Sequence, residues 1–344
     1  MSPPGAPRGG RAPGPGSRGG TPEGRHIAAF RALFAEGTSR VASLGIGDDA
    51  AVLRAVGRHL VWTVDASVEG VHFERRWLSL AEVGARSFHA AVSDLAAMGA
   101  RPVAALSSLV VPPSLGAAAI RRIAAGQAGA ARELRCPVVG GNLSRGHELS
   151  VTTTAIGVSR RPLTRAGARA GDEVWLVGAV GLAAAGLAWL RSGRTTPGLP
   201  DARSRRAVAA CVAAWTRPTA LVRDGLRIAR VAHAAIDVSD GLAGDVGHVA
   251  EASRVRIVIE EPALRTLLGP ELLRACEVLK LDALSLALSG GEDYALVAAG
   301  PSKSRPPRAR RIGRVEKGAG ARLEAEDGKL RPLGSGFDHF SGRS

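Results

Sequence analysis

The stretch Leu44-Gly45-Ile46-Gly47-Asp48-Asp49-Ala50-Ala51-Val52-Leu53 sets two adjacent carboxylates in a glycine turn flanked by apolar residues. Ionised carboxylates about 4 Å apart repel by roughly 4 kcal/mol at an effective dielectric near 20, so a fold that gathers several must supply cations or leave them in water. Hard oxygen ligands suit Mg²⁺, which keeps part of its water shell and usually shares its remaining sites with substrate phosphates. Three later stretches repeat the theme: Thr63-Val64-Asp65 with Glu69-Gly70-Val71-His72, the run IDVSDGL from Ile236 to Leu242, and Leu288-Ser289-Gly290-Gly291-Glu292-Asp293-Tyr294. A single Asp-Gly or Gly-Asp pair is an ordinary turn. Four acidic stretches, each beside a strand-like apolar run, point instead to a metal-dominated phosphate site.

Stepping outward from these residues, 344 positions at 45% hydrophobic content can form one large or two ordinary domains around a substantial core. Aromatics are only 3%, so that core must be closely packed Ala, Val and Leu, and stacking platforms for single-stranded nucleic acid are scarce. The formal net charge of +15 invites a nucleic-acid reading. Its distribution argues otherwise, because Arg8, Arg11, Arg18 and Arg25 lie in or beside a Pro/Gly tail, while Arg305, Arg308, Arg310, Arg311 and Arg314 crowd one late segment. No dedicated nucleic-acid partner is expected. Cys136, Cys211 and Cys276 are isolated, so neither a disulfide framework nor a zinc site is indicated, and a reducing compartment is expected. No apolar run reaches membrane-spanning length and no hydrophobic leader is evident, which points to a cytoplasmic location.

The elements that must position the acidic stretches are legible in outline. Residues 1–24 have almost nothing to bury and are expected to form a disordered Pro/Gly/Arg-rich tail. A helix is predicted over His26 to Glu36, and strands over Ala51 to Leu53 and Leu60 to Val64. Ser79-Leu80-Ala81-Glu82 is a capping-box pattern that opens a helix with Phe88, Val92 and Leu95 on one face and Asp94 beside it, ending at Gly99. A strand over Val103 to Val111, a helix over Ser114 to Leu134 and a strand at Pro137 to Val139 follow. That strand runs into Gly140 to Gly146, read as a glycine turn that lets backbone approach a ligand. Leu149 to Val158 alternates as a strand and closes a first domain, 25–159.

From Arg161 the pattern restarts as a second domain, 160–344: a strand over Asp172 to Val177, then helices over Gly181 to Leu190, Arg203 to Trp215 and Ala220 to Ala232. Ile236 to Ser239 reads as a strand end, Asp240 as the cap of a helix through Val249, and Val255 to Ile259 as a strand. Leu286 to Leu288 and Tyr294 to Val297 are strand-like runs on either side of the last acidic turn. Helices interspersed with strands in both halves imply two α/β (α+β) domains rather than a bundle or sandwich. There is no GxxxxGK[ST] loop and the first lysine is Lys280, which excludes a P-loop kinase or a protein kinase with its strand lysine. Gly45-Ile46-Gly47 has the start of a dinucleotide fingerprint, but aspartates follow where its third glycine and helix belong.

Taken together, GIGDDAAVL, VDASVEGVHF, SDLAAMGARP, VVGG with SRG, LTRAG, IDVSDGLAGDVGH, LSGGEDY and Gly336-Phe337-Asp338-His339-Phe340 run in order from about Arg25 to Phe340. This series resembles the thiamine-monophosphate kinase family, within the ATP-binding superfamily that includes aminoimidazole ribonucleotide synthetase. The resemblance implies a two-domain PurM-like fold whose N-terminal mixed sheet forms a homodimer interface, and ATP- and Mg²⁺-dependent phosphorylation of thiamine monophosphate to thiamine diphosphate. It also implies metal contacts at Asp49, Thr63, Asp65, Asp94, Asp237 and Asp240, ATP contacts at Gly141, Asn142, Arg165 and Ser239, and acceptor contacts at His72, Glu292 and Phe337. Asn142 stands where many relatives carry a metal-binding Asp, and Val64 replaces a Thr or Ser. Fewer or weaker magnesium sites are therefore expected, with Asn142 retained as a neutral ligand. No general base is required, since a phosphate monoester has its second pKa near 6 and is largely ionised at neutral pH. The rivals are another ATP-using enzyme of the superfamily and a non-catalytic polyanion-binding protein. A selenophosphate synthetase should carry Cys or selenocysteine plus Lys in a glycine-rich N-terminal loop, and the first 100 residues contain neither.

Overall fold

The computed structural model describes residues 42–44, 48–55 and 58–334. The tail to residue 24, the helix expected at 26–36 and Phe337 with its GFDHF segment lie outside the described residues. The first sheet comprises β1 (Ala42–Leu44), β2 (Ala51–Ala55), β3 (Arg58–Val68), β4 (Arg101–Val111), β5 (Val138–Arg145) and β6 (Ser150–Ser159). Their order is β1-β2-β3-β6-β4-β5, antiparallel except for the β4–β5 pair. Period-two burial follows the sequence alternation: Val151, Thr153 and Ala155 of β6 are buried and the residues between them only partly so.

Helices α1 (Leu80–Ala97) and α2 (Ala117–Leu134) cover one face of this sheet. Val61, Ala105 and Ala155 meet Phe88, Val92, Leu95 and Ala130 in a single core. The capping box that opens α1 forms as its sequence pattern predicts: Ser79 Oγ accepts from the Glu82 N–H at 3.2 Å, and Glu82 accepts from the Ser79 N–H at 2.9 Å. The two helices approach closely through glycines, since a Cβ at Gly84 would lie 2.0 Å from the Ile123 carbonyl oxygen and one at Gly126 1.9 Å from that of Ala81.

In the second half, β7 (Glu173–Val177), β8 (Ala234–Asp237), β9 (Arg256–Glu260), β10 (Leu296–Gly300), β11 (Arg310–Glu316), β12 (Gly320–Glu324) and β13 (Leu330–Pro332) form a sheet. Its order is β13-β12-β9-β11-β7-β10-β8. The helices there are α3 (Leu182–Arg191), α4 (Ala202–Thr216), α5 (Val222–Ile228), α6 (Leu242–Ser253), α7 (Glu261–Arg265), α8 (Pro270–Leu279) and α9 (Ala283–Ser289). The end of α1 belongs to this half as well. Ala96 and Ala97 share a core with Trp175, Ile228, Ala235 and Leu296, and a Cβ at Gly225 of α5 would lie 2.0 Å from the Ala96 carbonyl oxygen.

Several local expectations are corrected. Residues 140–145 are strand rather than a ligand-approach turn: β5 continues to Arg145, and Gly141 is required because a Cβ there would lie 1.8 Å from the Ser107 carbonyl oxygen of β4. Leu286 to Leu288 are helical, inside α9, where Asp282 caps the start through the Ser285 N–H. Asp240 does not cap α6; Gly241 at φ +109° occupies that position. Several of the late arginines are matched by carboxylates within the fold: Arg311 bonds Glu260 at 2.6 Å, Arg314 bonds Glu324 at 2.6 Å, and Arg308 pairs with Asp224 at 3.0 Å.

The glycine contact between α1 and α2 gives a direct test. Gly126→Val should lower the unfolding free energy by about 3 kcal/mol through overpacking. Gly129→Ala, where an added Cβ meets nothing within 4 Å, should hold or raise it by up to about 1 kcal/mol. Urea unfolding of both variants checks the pair, and equal losses would contradict the close approach.

Candidate active site

Three elements deliver carboxylates to one point. Asp49 sits in the turn before β2, Asp94 on the last turn of α1 and Asp237 at the end of β8, and their oxygens lie within 4.8 Å of one another. Each is held. Thr63 Oγ1 donates to Asp94, Ser93 Oγ donates to Asp237 at 2.5 Å, and Arg165 donates to Asp49 Oδ1 from Nε at 3.0 Å and also from Nη2. Asp48 joins them by accepting the Arg165 backbone N–H at 3.2 Å.

This is a crowded negative site with, among the described residues, Arg165 as the arginine bonded to it. Burial, then Asp237 and Asp49, push Asp94 well above the usual carboxylate range. Burial, then Asp49, bring Asp237 to about 7. Burial and the adjacent Asp49 raise Asp48 to about 6. Asp49 Oδ2 is buried and has no hydrogen-bond partner. A set of hard, converging oxygens with one left unsatisfied fits a divalent cation, which would meet both the coordination and the charge.

Beside the cluster a cleft of about 510 Å³ opens between the two halves. Its walls include Asp65, His72, Asp94, Asp237, Ser239, Asp240 and Glu292, so most of the residues singled out by sequence meet in one space. Asp65 adds to the charge acting on Asp94, and His72 Nδ1 accepts the Val68 N–H at 3.1 Å. Thr63 and Arg165 reach the cluster through Asp94 and Asp49. Gly141 and Asn142 do not line the cleft and sit on exposed β5. The register aligns Gly141 with Ser107, Thr153 and Asp65, but Asn142 with Ser108 and Thr152. Strand alternation therefore turns Asn142 to the opposite face, where Nδ2 bonds Ser144 Oγ at 2.9 Å.

Other members of the site lie within or near the sequence motifs but were given no role there. Ser93 holds Asp237, and Asp245 of α6 accepts the Asp240 N–H at 3.3 Å while burial and Asp240 push its own pKa well up. Asp293 accepts the N–H groups of Gly181 and Ala183 at 2.7 and 3.2 Å, tying the last acidic turn to the start of α3; burial brings it to about 7. Arg86 of α1 is buried beneath the cleft, its guanidinium 4.7 Å from the Trp215 ring centre, and Trp215 packs edge-to-face on Trp77 at 5.9 Å. The available signals were charged residues inside apolar helical stripes, Arg86 near Val83 and Phe88, and Asp245 between Leu242 and Val246. The turn is held by unusual backbone: Gly291, Glu292 and Tyr294 are left-handed, at φ +67°, +62° and +49°.

Both halves match the AIR synthase related protein family, the N-terminal domain over residues 47–159 and the C-terminal domain over residues 169–326. The fold and site thus define a two-domain protein of the AIR synthase related class. Among curated relatives, thiamine-monophosphate kinase of Aquifex aeolicus is 34% identical, over 86% of this chain and 92% of that protein. The Pyrococcus horikoshii enzyme is 31% identical, over 86% and 91%. A solved structure of AaThiL complexed with AMPPCP and TMP superposes with a TM-score of 0.81 at 33% identity, covering 91% of this chain and 96% of that one. The chain belongs to the thiamine-monophosphate kinase family. Hydrogenase maturation protein HypE, at 21% identity and a TM-score of 0.66, shares the fold.

The raised carboxylates set the pH response of the metal-free protein. A carboxylate with an ordinary value of 3.8 that rises to about 6 at Asp48 and about 7 at Asp237 binds its proton more tightly when folded. Its stabilising effect is complete below the unfolded value and is lost as pH rises through the folded one. The melting temperature in chelator should therefore fall between about pH 4 and about pH 7. Calorimetry across that range reads it, and a flat or rising trend would contradict the buried cluster.

Proposed function

We propose that this chain transfers the γ-phosphoryl group of ATP to thiamine monophosphate, giving thiamine diphosphate, with Mg²⁺ held by Asp49, Asp94 and Asp237 and flanked by Asp65, Thr63 and Asp240. The observation that carries the reading is the convergence of those three carboxylates, Asp237 buried and Asp49 and Asp94 half-buried, drawn from both halves, at the edge of a shared cleft. Family membership supports the acceptor, as does the fold match to AaThiL with AMPPCP and TMP. Bound magnesium would neutralise polyphosphate charge and align attacking and leaving oxygens.

The chain's own residues supply the rest by position. Thr63 and Ser93 fix the rotamers of Asp94 and Asp237, so the ligand oxygens need little reorganisation. Arg165, anchored on Asp49, places a fixed positive charge where polyphosphate would lie, and Ser239 is assigned to the nucleotide, whereas Gly141, within β5 and away from the cleft lining, is not. His72 and Glu292 form the acceptor wall, and Phe337, outside the described residues, is assigned to the acceptor on the family resemblance alone. Asn142 is left out of the metal set because its side chain lies on the other face of the sheet. The acceptor oxygen is already largely ionised at neutral pH, so no side chain is assigned as a base.

A homodimer through the first sheet is part of this proposal. Trp62, Val64 and Leu106 lie on the sheet face opposite α1 and α2 and are 46%, 65% and 43% exposed, an apolar surface suited to a second copy. The buried, free cysteines agree with a cytoplasmic setting, and no described helix is long and apolar enough to cross a membrane.

A coupled assay of ATP consumption should show turnover with thiamine monophosphate and none with thiamine; the reverse preference would overturn the acceptor. Asp94→Asn should lower turnover at least about 100-fold. Near-normal turnover in saturating Mg²⁺ would contradict the ligand role. Val64→Asp should convert a dimer to a monomer in sedimentation velocity, whereas a monomeric wild type would remove the interface.

A further inference from the structure

We propose that Arg86 and Tyr294 are positioning residues for Glu292, holding one carboxylate oxygen so that the other is presented to the amino or cationic part of the acceptor. The inference rests on the acceptor reading above and goes beyond it by assigning how that wall is built. Arg86 Nη2 donates to Glu292 Oε2 at 2.7 Å, and the Tyr294 hydroxyl donates to the same oxygen at 2.7 Å. No described residue bonds Oε1, although Glu292 lines the cleft and its side chain is 25% exposed. Arg–carboxylate pairs are frequently bidentate, with both carboxylate oxygens engaged. Here two donors converge on one oxygen and leave the second for a ligand. Thiamine monophosphate brings an exocyclic amine and a cationic thiazolium, the chemistry that a fixed carboxylate oxygen recognises.

Arg86 is itself fixed on several sides. Nη1 donates to the Trp215 carbonyl at 3.0 Å, Nη2 also lies 3.5 Å from the His72 carbonyl, and the guanidinium stacks on the Trp215 ring. Burial is the largest influence and works against the charge, but Glu292, Tyr294 and Asp65 together outweigh it and raise the Arg86 pKa. Arg86 precedes Asp94 by eight residues on α1, roughly 12 Å of helix. One rigid rod therefore spaces the acceptor wall from the carboxylate cluster.

Steady-state kinetics of the full chain with ATP and thiamine monophosphate test the assignment. Arg86→Gln and Glu292→Gln should each raise KM for thiamine monophosphate roughly 10- to 100-fold while KM for ATP changes less than about threefold. The double variant should be no worse than Glu292→Gln alone, Arg86→Lys should fall between wild type and Arg86→Gln, and Tyr294→Phe should give a smaller rise in the same KM. Equal rises in both KM values, or multiplicative losses in the double variant, would overturn the clamp. If Arg86→Gln does not fold, Tyr294→Phe decides by the same criterion. If wild type does not turn over thiamine monophosphate, the acceptor reading falls by itself. Hydrogen exchange over residues 288–295 then decides the clamp: faster exchange in Tyr294→Phe supports it, and unchanged exchange overturns it.

Discussion

Gathering like charges in a low-dielectric space is the constraint on which the rest of the structure depends. Asp49, Asp94 and Asp237 cannot all stay ionised side by side without a counter-charge, and a loosely built pocket would relax by turning them into water. The fold prevents that escape by delivering each from a different rigid element and fixing each with a donor: Arg165, Thr63 and Ser93. Helix α1 is central to this arrangement. Its apolar side packs on the first sheet, its last alanines enter the core of the second half, and Asp94 lies where those contacts meet. Close packing at Gly84, Gly126 and Gly225 leaves the rod little room to shift.

The fold alone would not decide the chemistry, since HypE shares it at low identity, and function has to be argued from the site. This site joins an acidic end and an aromatic, arginine-backed end within one cleft. Phosphate chemistry suits the first and recognition of a planar organic acceptor the second.

The acidic end was legible in the sequence because aspartates embedded in apolar runs have few structural excuses. GIGDD, TVD, SDL and IDVSD each announce a carboxylate at a strand or helix end. The alternation of β6 and the capping box of α1 were legible for the same reason, being local patterns. What escaped was set by distant contacts. Arg86 meets Glu292 across 206 positions and Ser93 meets Asp237 across 144, separations that no local pattern encodes. Gly140 to Arg145 misled because glycine is ordinarily a turn signal, whereas here Gly141 admits the neighbouring strand. Asn142 could be placed on its face only once the register with Ser108 was known.

The left-handed residues of the last acidic turn have a wider consequence. Non-glycine residues such as Glu292 and Tyr294 in that conformation cost on the order of 1–2 kcal/mol each, which glycine would avoid. Side chains kept against such a cost mark a local compromise between robustness and activity. A search for a hardier variant that scored folding alone would replace these residues first, and would return a sturdier protein stripped of two of the side chains that line its cleft.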